Sequence, residues 1–418
     1  MTAPNRSGWP ERLERANISG VRPVHRPQQE TPMSTDVVIV SAARTPIATA
    51  YKGSLVGVDA YAIAEVSMAA ALERSGIPAA EIEDIGFGES MQGGGNIGRN
   101  VAIRLGMTNV PGVATQRWCA SGMAGVQWIA ANIAAGMIDV GMGGGTESMS
   151  TAPAGQKPGP DGAPAFWLPP ANEETETAPA FNMALTVGDN TARIAGVTRE
   201  EADAWAFESH RRAVQAIDEG RFEFEVVPVT LPDGSEFSVD EHPRRNSSLE
   251  KLASLPVINP LVEGAITTAG NASGLNDASA ALVMCSREYA EANGLTPLAR
   301  IVSWGSAALA PEETGLGPTV ALPKAVAKAG ISLGDLDSIE INEAFASMAV
   351  ASTRIMELDH DKVNVNGSGC SLGHPIGCTG ARMIVTMVNE LRRIDGQFGA
   401  VTMCAAGGMG SATVIERL

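Results

Sequence analysis

Two stretches decide the fold: "ALERSGIPAAEIEDIGFGE" at residues 71–89 and "AVAKAGISLGDLDSIEINE" at 325–343. They align without a gap at an offset of 254, matching Ala71 with Ala325, Gly76 with Gly330, Ile77 with Ile331, Ile85 with Ile339 and Glu89 with Glu343. Each reads as a helix, a glycine stop, a short turn and a strand. Further out, "VVIVSAARTP" (37–46) has the pattern of a buried strand running into a polar turn, and "ARIVSWGSA" (299–307) repeats it. There Ile39, Val40 and Ser41 match Ile301, Val302 and Ser303. A third match sets "CASGMAG" (119–125) against "HPIGCTG" (374–380), pairing Cys119 with His374, Gly122 with Gly377 and Gly125 with Gly380. Unchanged order at nearly constant offsets predicts a duplicated α/β unit. It also predicts that Cys119 and His374 occupy the same position in the two halves, at helix N-termini facing one cleft.

Composition bounds the partners. The chain has 418 residues and a formal net charge of −17, which argues against non-specific binding to nucleic acid or anionic membranes. No apolar stretch is long enough to span a bilayer. Five cysteines, an odd number, point to free thiols in a reducing cytoplasm rather than a disulfide frame. Residues 1–32, rich in Pro and Arg, read as a disordered extension; Glu11, Glu14 and Glu30 fit poorly with a transit peptide. The domains expected are a first α/β half at 33–149, completed by about 276–297, an inserted loop or lid subdomain at 150–275, and a second half at 298–418. Within the insertion, "TREEADAWAFESHRRAVQAIDEG" reads as an amphipathic helix opened by a Thr198–Glu201 capping box. Arg244, Arg245 and Lys251 make a basic patch, either solvated surface or ligand contact.

Four residues stand where α/β proteins collect their sites, at strand ends and helix starts. Cys119 lies between Trp118 and a run of small residues. It is either a small buried hydrophobe or a nucleophile whose thiol pKa the helix N-terminus lowers. His374 precedes a proline in a Gly-rich turn, Cys404 ends a strand before a glycine turn, and Asn342 ends another strand, beside Glu343. Singly, each has a structural explanation: a satisfied histidine, a core cysteine, a helix cap. Together they supply a nucleophile, a base and a second acid/base. Two other patterns are rejected. Cys370, His374 and Cys378 have a metal-like spacing without a fourth ligand nearby. "GMGGGT" (141–146) is placed after a strand like a dinucleotide loop but lacks its third glycine.

The chain from about residue 34 onward resembles the thiolase family. The resemblance rests on the Cys119 segment, "GGTESMS" (144–150), "AGNASGLNDASAAL" (269–282), "NEAF" (342–345), "GHPIG" (373–377) and the Cys-x-x-Gly-Gly-x-Gly element at 404–410. It implies duplicated halves forming a layered α-β-α-β-α core. It implies acyl transfer between a 3-oxoacyl-CoA and coenzyme A, with CoA species as substrates and no permanently bound cofactor or metal. Cys119 would carry the acyl group, His374 would take its proton, and Cys404 would exchange a proton with the α-carbon. One oxyanion site would lie between His374 and a water held by Asn342, the other between the backbone N–H groups of Cys119 and Ala406. Ser273 would meet the pantetheine arm and Arg244 the nucleotide end of CoA. The resemblance further implies a homo-oligomer, dimer or tetramer. Two departures stand out: Ala406 replaces the usual glycine, and Thr314 stands where many members have methionine, so an altered acyl pocket is expected at Thr314. The related ketoacyl-synthase-like condensing enzymes lack the second cysteine element. A non-catalytic CoA-binding scaffold would have lost Cys119, His374 or Cys404.

Overall fold

The computed structural model describes residues 35–418; the extension expected at 1–32 lies outside them. The first half runs β1 (Val37–Arg44), α1 (Ala60–Ser75), β2 (Asp84–Gly88), α2 (Ile97–Arg104), β3 (Val113–Thr115), α3 (Ser121–Ala134) and β4 (Val140–Ser148). Two helices of the insertion follow, α4 (Val187–Ala195) and α5 (Arg199–Asp218), and then β5 (Asn276–Ser286) closes this half. The second half runs β6 (Ala299–Ala308), α6 (Gly317–Ala329), β7 (Ser338–Ile341), α7 (Ala346–Ile355), α8 (Thr379–Ile394), β8 (Phe398–Ala405) and β9 (Met409–Arg417). The strand order is β7-β8-β9-β6-β1-β5-β4-β2-β3. It reads the same from both ends up to β3: a parallel pair, then antiparallel neighbours inward, meeting where β1 pairs with β6.

Two of the three repeats found in the sequence are equivalent in space. Asp59 caps α1 through Ala62 N–H, and the helix stops at Gly76, φ +69°; α6 stops likewise at Gly330, φ +72°. β1 bulges between Ile39 and Ser41, and β6 bulges between Ile301 and Ser303. The bulge turns Val40 and Ser41 together toward α1, where Ser41 Oγ donates to Ala71 O at 2.6 Å. In the second half Ser303 Oγ donates to Ala325 O at 2.7 Å.

Packing builds five layers. β1 and β5 are buried on both faces, which explains their near-continuous apolar sequences. On one face Val38, Val40, Ala281 and Val283 pack with Ala64 and Met68 of α1. On the other, Ile39, Leu282 and Met284 share a core with Val126 and Ile129 of α3, Ile384 and Val388 of α8, and Met403 and Ile415 of the second half. Beyond those strands, Leu322 and Val326 of α6 pack with Ile339, Ala400 and Val414. Helices α3 and α8 are thus the middle layer. They approach closely because glycine faces glycine: a Cβ on Gly122 would lie 2.7 Å from Gly377 O, and one on Gly380 would lie 2.6 Å from Met123 N.

That packing corrects two expectations. Gly122 faces Ala381 N while Gly380 faces Met123 N, so Gly122 is equivalent to Gly380, not Gly377. α3 begins at Ser121 and α8 at Thr379, an offset of 258 rather than 255. A longer loop precedes α8, so His374 arrives from further upstream than Cys119 does. Residues 141–146 are not a loop after a strand; they lie within β4 itself. Glycine is needed there for clearance, since a Cβ at Gly143, Gly144 or Gly145 would strike α3, Phe87 and Ala280 O, or Gly377 O respectively.

The insertion packs on the second half, with the Thr198–Glu201 capping box formed at the start of α5. A buried charge cluster ties it to both halves. Arg44 Nε donates to Glu225 at 2.6 Å, both Arg44 Nη groups donate to Asp240 at 2.8 Å, and Thr386 of α8 donates to Glu225 at 3.0 Å.

Candidate active site

Cys119 lies just before the first turn of α3, whose N-cap, Ala120, offers no side-chain bond. The preceding Trp118 has φ +46°, an uncommon conformation for a bulky residue. The surroundings hold it there: Gln116 Oε1 accepts Trp118 N–H at 2.5 Å, and Ser121 Oγ donates to Trp118 O at 2.6 Å. Cys119 keeps partial solvent access. The enclosing protein pushes its thiol up to about 11, opposed by hydrogen bonds from the N–H groups of Ala406 and Cys119 itself, with Glu147 adding to the rise. A pKa lowered by the helix N-terminus was one of the two readings the sequence left open; desolvation is the larger influence and acts the other way, so the resting group is a thiol.

Cys404 ends β8, buried, with its thiol held well above the usual range by burial and then by the proximity of Cys119. Its Sγ lies 3.9 Å from Met348 Sδ. Around it Ala178, Met183, Val187, Ala272, Ala344 and Phe345 form an apolar cluster, with the Ala406 methyl at its margin. Ala406 is not among the residues with positive φ, so alanine fits this backbone and the N–H donor survives.

His374 sits in the turn before α8. Gly373 has φ +102°, and any Cβ there would clash with the Asn276 amide at 2.5 Å. That approach lets Asn276 Oδ1 accept His374 N–H at 2.9 Å. On the ring, Nδ1 lies 2.6 Å from Thr379 Oγ1, which itself donates to Pro375 O at 2.8 Å. The threonine has one proton and spends it on the carbonyl, so it accepts from Nδ1–H and leaves Nε2 with a free lone pair. Burial, and then the Arg382 charge, push His374 down to about 3, so the ring is neutral near pH 7.

Asn342 lies just beyond β7, its Nδ2 3.5 Å from both ring nitrogens of His374, an even contact rather than a directed bond. It does not cap α7, whose N-cap is Phe345. Asn342 Oδ1 is buried and finds no donor among the described residues. The neighbouring Glu343 is consumed by structure, accepting from Trp205, Ser209, Asn364 and Cys370 N–H. Ser273 is partly exposed, and its N–H donates to Ala344 O at 2.9 Å, beside Phe345 of the apolar cluster. Arg244 is exposed and forms no ion pair among the described residues, whereas Arg245 pairs with Asp218. Thr314 is buried, its hydroxyl donating to Pro311 O at 2.6 Å and accepting Gly408 N–H at 2.9 Å. Among the described residues no three His, Cys, Asp or Glu side chains are grouped to hold a metal.

Sequence reasoning missed Thr379, Asn276 and Met348. The first two lie inside quoted motifs but look like an ordinary helix start and strand start. Glu147, also missed, accepts from Gly377 N–H at 2.8 Å and from Gln92 at 2.6 Å; burial lifts it to about 7.

Comparison with known proteins places the chain in a family. Residues 37–288 match the family model "Thiolase, N-terminal domain" and residues 295–417 match "Thiolase, C-terminal domain". Beta-ketothiolase BktB of Cupriavidus necator is 40% identical over 401 residues, covering 92% of this chain and 100% of the relative. The crystal structure of the Bacillus anthracis acetyl-CoA acetyltransferase superposes with a TM-score of 0.85 at 37% identity, covering 93% of this chain and all of that one. The human mitochondrial 3-ketoacyl-CoA thiolase in complex with CoA gives a TM-score of 0.84 at 32% identity, covering 92% and 99%.

Proposed function

The chain belongs to the thiolase family, and from that premise we propose how it transfers acyl groups between 3-oxoacyl-CoA and coenzyme A. It is a CoA-dependent acyltransferase of the cleavage and condensation class. In cleavage, Cys119 Sγ attacks the 3-oxo carbon while its proton passes to His374 Nε2. Both groups start neutral, so the proton moves as the bond forms rather than from a stored thiolate. The C2–C3 bond then breaks, the electron pair leaves on C2, and Cys404 gives C2 its proton to release acetyl-CoA. Coenzyme A attacks the acyl-Cys119 carbonyl, its thiol proton restoring Cys404 while His374 returns its own to Cys119. Condensation is the reverse.

The observation that carries this reading is the packing of the Cys119 helix start onto the His374 loop, where a Cβ on Gly122 would lie 2.7 Å from Gly377 O, with the His374 ring fixed through Nδ1 at 2.6 Å from Thr379 Oγ1. Once the acyl carbon is bonded to the Cys119 sulfur, its carbonyl oxygen would meet the N–H groups of Cys119 and Ala406 as charge develops. Asn342, with its unsatisfied Oδ1, would hold the water that completes the His374 side. The apolar cluster around Cys404 suits a hydrocarbon acyl chain. Ser273 would contact the pantetheine arm, and the free Arg244 guanidinium would meet a CoA phosphate. The unpaired outer edge of β3, beside exposed Trp128, supports a homo-oligomer, dimer or tetramer. Five cysteines without a disulfide support a cytoplasmic setting. The test is CoA-dependent release of acetyl-CoA from 3-oxoacyl-CoAs of increasing chain length. Release that disappears in Cys119→Ala supports the reading, and no turnover with any of them defeats it.

A further inference from the structure

The glycine-rich strand β4 presents alternate residues to the middle layer. A Cβ on Gly143 would lie 2.8 Å from Val126 Cα of α3, and one on Gly145 would lie 2.2 Å from Gly377 O. The next residue on that face is Glu147, the one charged side chain in β4. It is fully buried, and its carboxylate holds two loops at once. Oε2 accepts Gly377 N–H at 2.8 Å, while Oε1 accepts Gln92 Nε2–H at 2.6 Å and Met91 N–H at 3.1 Å. Gly377 lies in a closed turn, where Pro375 O accepts Cys378 N–H and Thr379 N–H, both at 2.9 Å, and the Thr379 hydroxyl. That hydroxyl accepts His374 Nδ1–H, and Asn276 Oδ1 accepts His374 N–H. The turn belongs to the second half by sequence, yet two side chains of the first half dock it, Asn276 at one end and Glu147 at the other.

All three partners of Glu147 are donors. A proton added to the carboxyl finds only N–H groups facing it, unless Gln92 turns its amide over and gives up its bond to Ser148 O at 3.0 Å. It also reduces the charge-assisted bond to Gly377 to an ordinary one. Among the described residues, two thiols answer to the Glu147 charge, Cys119 before α3 and Cys378 before α8. Glu89 at the end of β2 is occupied at the start of α2, Asp277 of β5 accepts from Ser150, and the His374 ring is turned to Thr379. Burial lifts Glu147 to about 7, so its charge changes near neutral pH.

We infer that Glu147 is an ionisable positioning residue: charged, it docks the His374 turn against the start of α3, and protonated, it lets that turn go. The docking rests on the hydrogen bonds alone; its effect on catalysis rests on the acyl-transfer reading.

The test compares the parent with Glu147→Gln, which keeps the shape and one acceptor but cannot change charge. The first readout needs no turnover: hydrogen–deuterium exchange of the peptide spanning 373–380, corrected for the intrinsic effect of pH. Between pH 8 and pH 6 the ionised fraction of a group near 7 falls about tenfold, so protection in the parent should fall at least about threefold. E147Q should start less protected at pH 8 and change by less than about 1.5-fold. The second readout is the rate of Cys119 acetylation by acetyl-CoA. Over the same range it should fall about fivefold or more in the parent and stay within about twofold in E147Q. Should E147Q fail to fold, Gln92→Leu removes one donor to the carboxylate and should move the parent's fall to higher pH by at least about half a unit. Parallel exchange profiles for parent and E147Q, or an unmoved profile in Q92L, overturn the inference. Acetylation absent at every pH defeats the acyl-transfer reading instead, and the exchange profiles still decide the docking.

Discussion

His374 Nδ1 and Thr379 Oγ1 are 2.6 Å apart, and the threonine proton is committed to Pro375 O. One turn of helix start therefore sets the histidine tautomer. Thr379→Val removes the acceptor and leaves the ring free to carry its proton on Nε2, the nitrogen assigned as base in the proposed mechanism. We expect kcat for thiolysis to fall about 10- to 100-fold with KM little changed, and Thr379→Ser to stay near the parent. Steady-state kinetics of the two variants decides it. Equal activity of T379V and parent would remove Thr379 from the account.

The close approach of α3 and α8 brings the two halves' loops together, and it depends on hydrogen-sized side chains. In Gly122→Ala the new methyl would sit 2.7 Å from Gly377 O and 3.1 Å from both Ala381 N and Cys378 O, all backbone. The helices must part, at a cost of roughly 3 kcal/mol or more. Gly57, where a Cβ meets only Pro232 at 3.6 Å, is the control; Gly57→Ala should lie within about 0.5 kcal/mol of the parent. Urea denaturation measures both.

Ser41 and Ser303 make the same buried bond to Ala71 and Ala325, 2.6 and 2.7 Å long. If duplication preserved the energetics with the geometry, Ser41→Ala and Ser303→Ala each cost about 1–2 kcal/mol. With no shared partner, their effects should add in the double variant. A large loss from one and none from the other would show that the halves have diverged in how they are held.

The repeats were legible because helix stops, bulges and strand pairs are set by local residues: Gly76 and Gly330, Ser41 and Ser303. The register of α3 against α8 was not legible. It depends on a loop length, and a gapless match of glycines pairs Gly122 with Gly377 although packing pairs it with Gly380. The "GMGGGT" strand carries few of the residues that mark strands, because clearance for α3 and the His374 loop overrides strand propensity. At the site, the residue types told what chemistry was available. They could not tell the balance of burial against the helix N-terminus at Cys119, which only the assembled surroundings decide. Thr379 bonds through its hydroxyl to Pro375 O and the His374 ring, a signal absent from any motif.

Acid should destabilise the protein from about pH 6.5 downward. Burial, then the charges of Arg244 and His242, hold His210 down at about 3, while its unfolded value is near 6.5. A base with a depressed folded pKa contributes stability that is present above the unfolded pKa and lost as pH falls through the window toward the folded one. His242, held at about 4, acts in the same direction. His210→Asn places an acceptor where Nδ1 now receives the Arg244 N–H at 3.1 Å and cannot titrate. Between pH 7 and pH 5 its stability should fall by about 2 kcal/mol less than the parent's. Equal slopes would mean that His210 does not remain neutral in the folded state.

The central claim is that Cys119 carries the acyl group and Cys404 only moves protons. Acetyl-CoA should therefore acetylate Cys119 in the parent and in Cys404→Ala alike, while Cys404→Ala loses cleavage of 3-oxoacyl-CoA by a factor of about 100 or more. The decisive measurement is the mass of the Cys119 and Cys404 peptides after brief exposure of both proteins to acetyl-CoA. One acetyl group on the Cys119 peptide in both, absent in Cys119→Ala, is the result the account predicts. Acetyl on Cys404, or none on Cys119 in the Cys404→Ala protein, would contradict it.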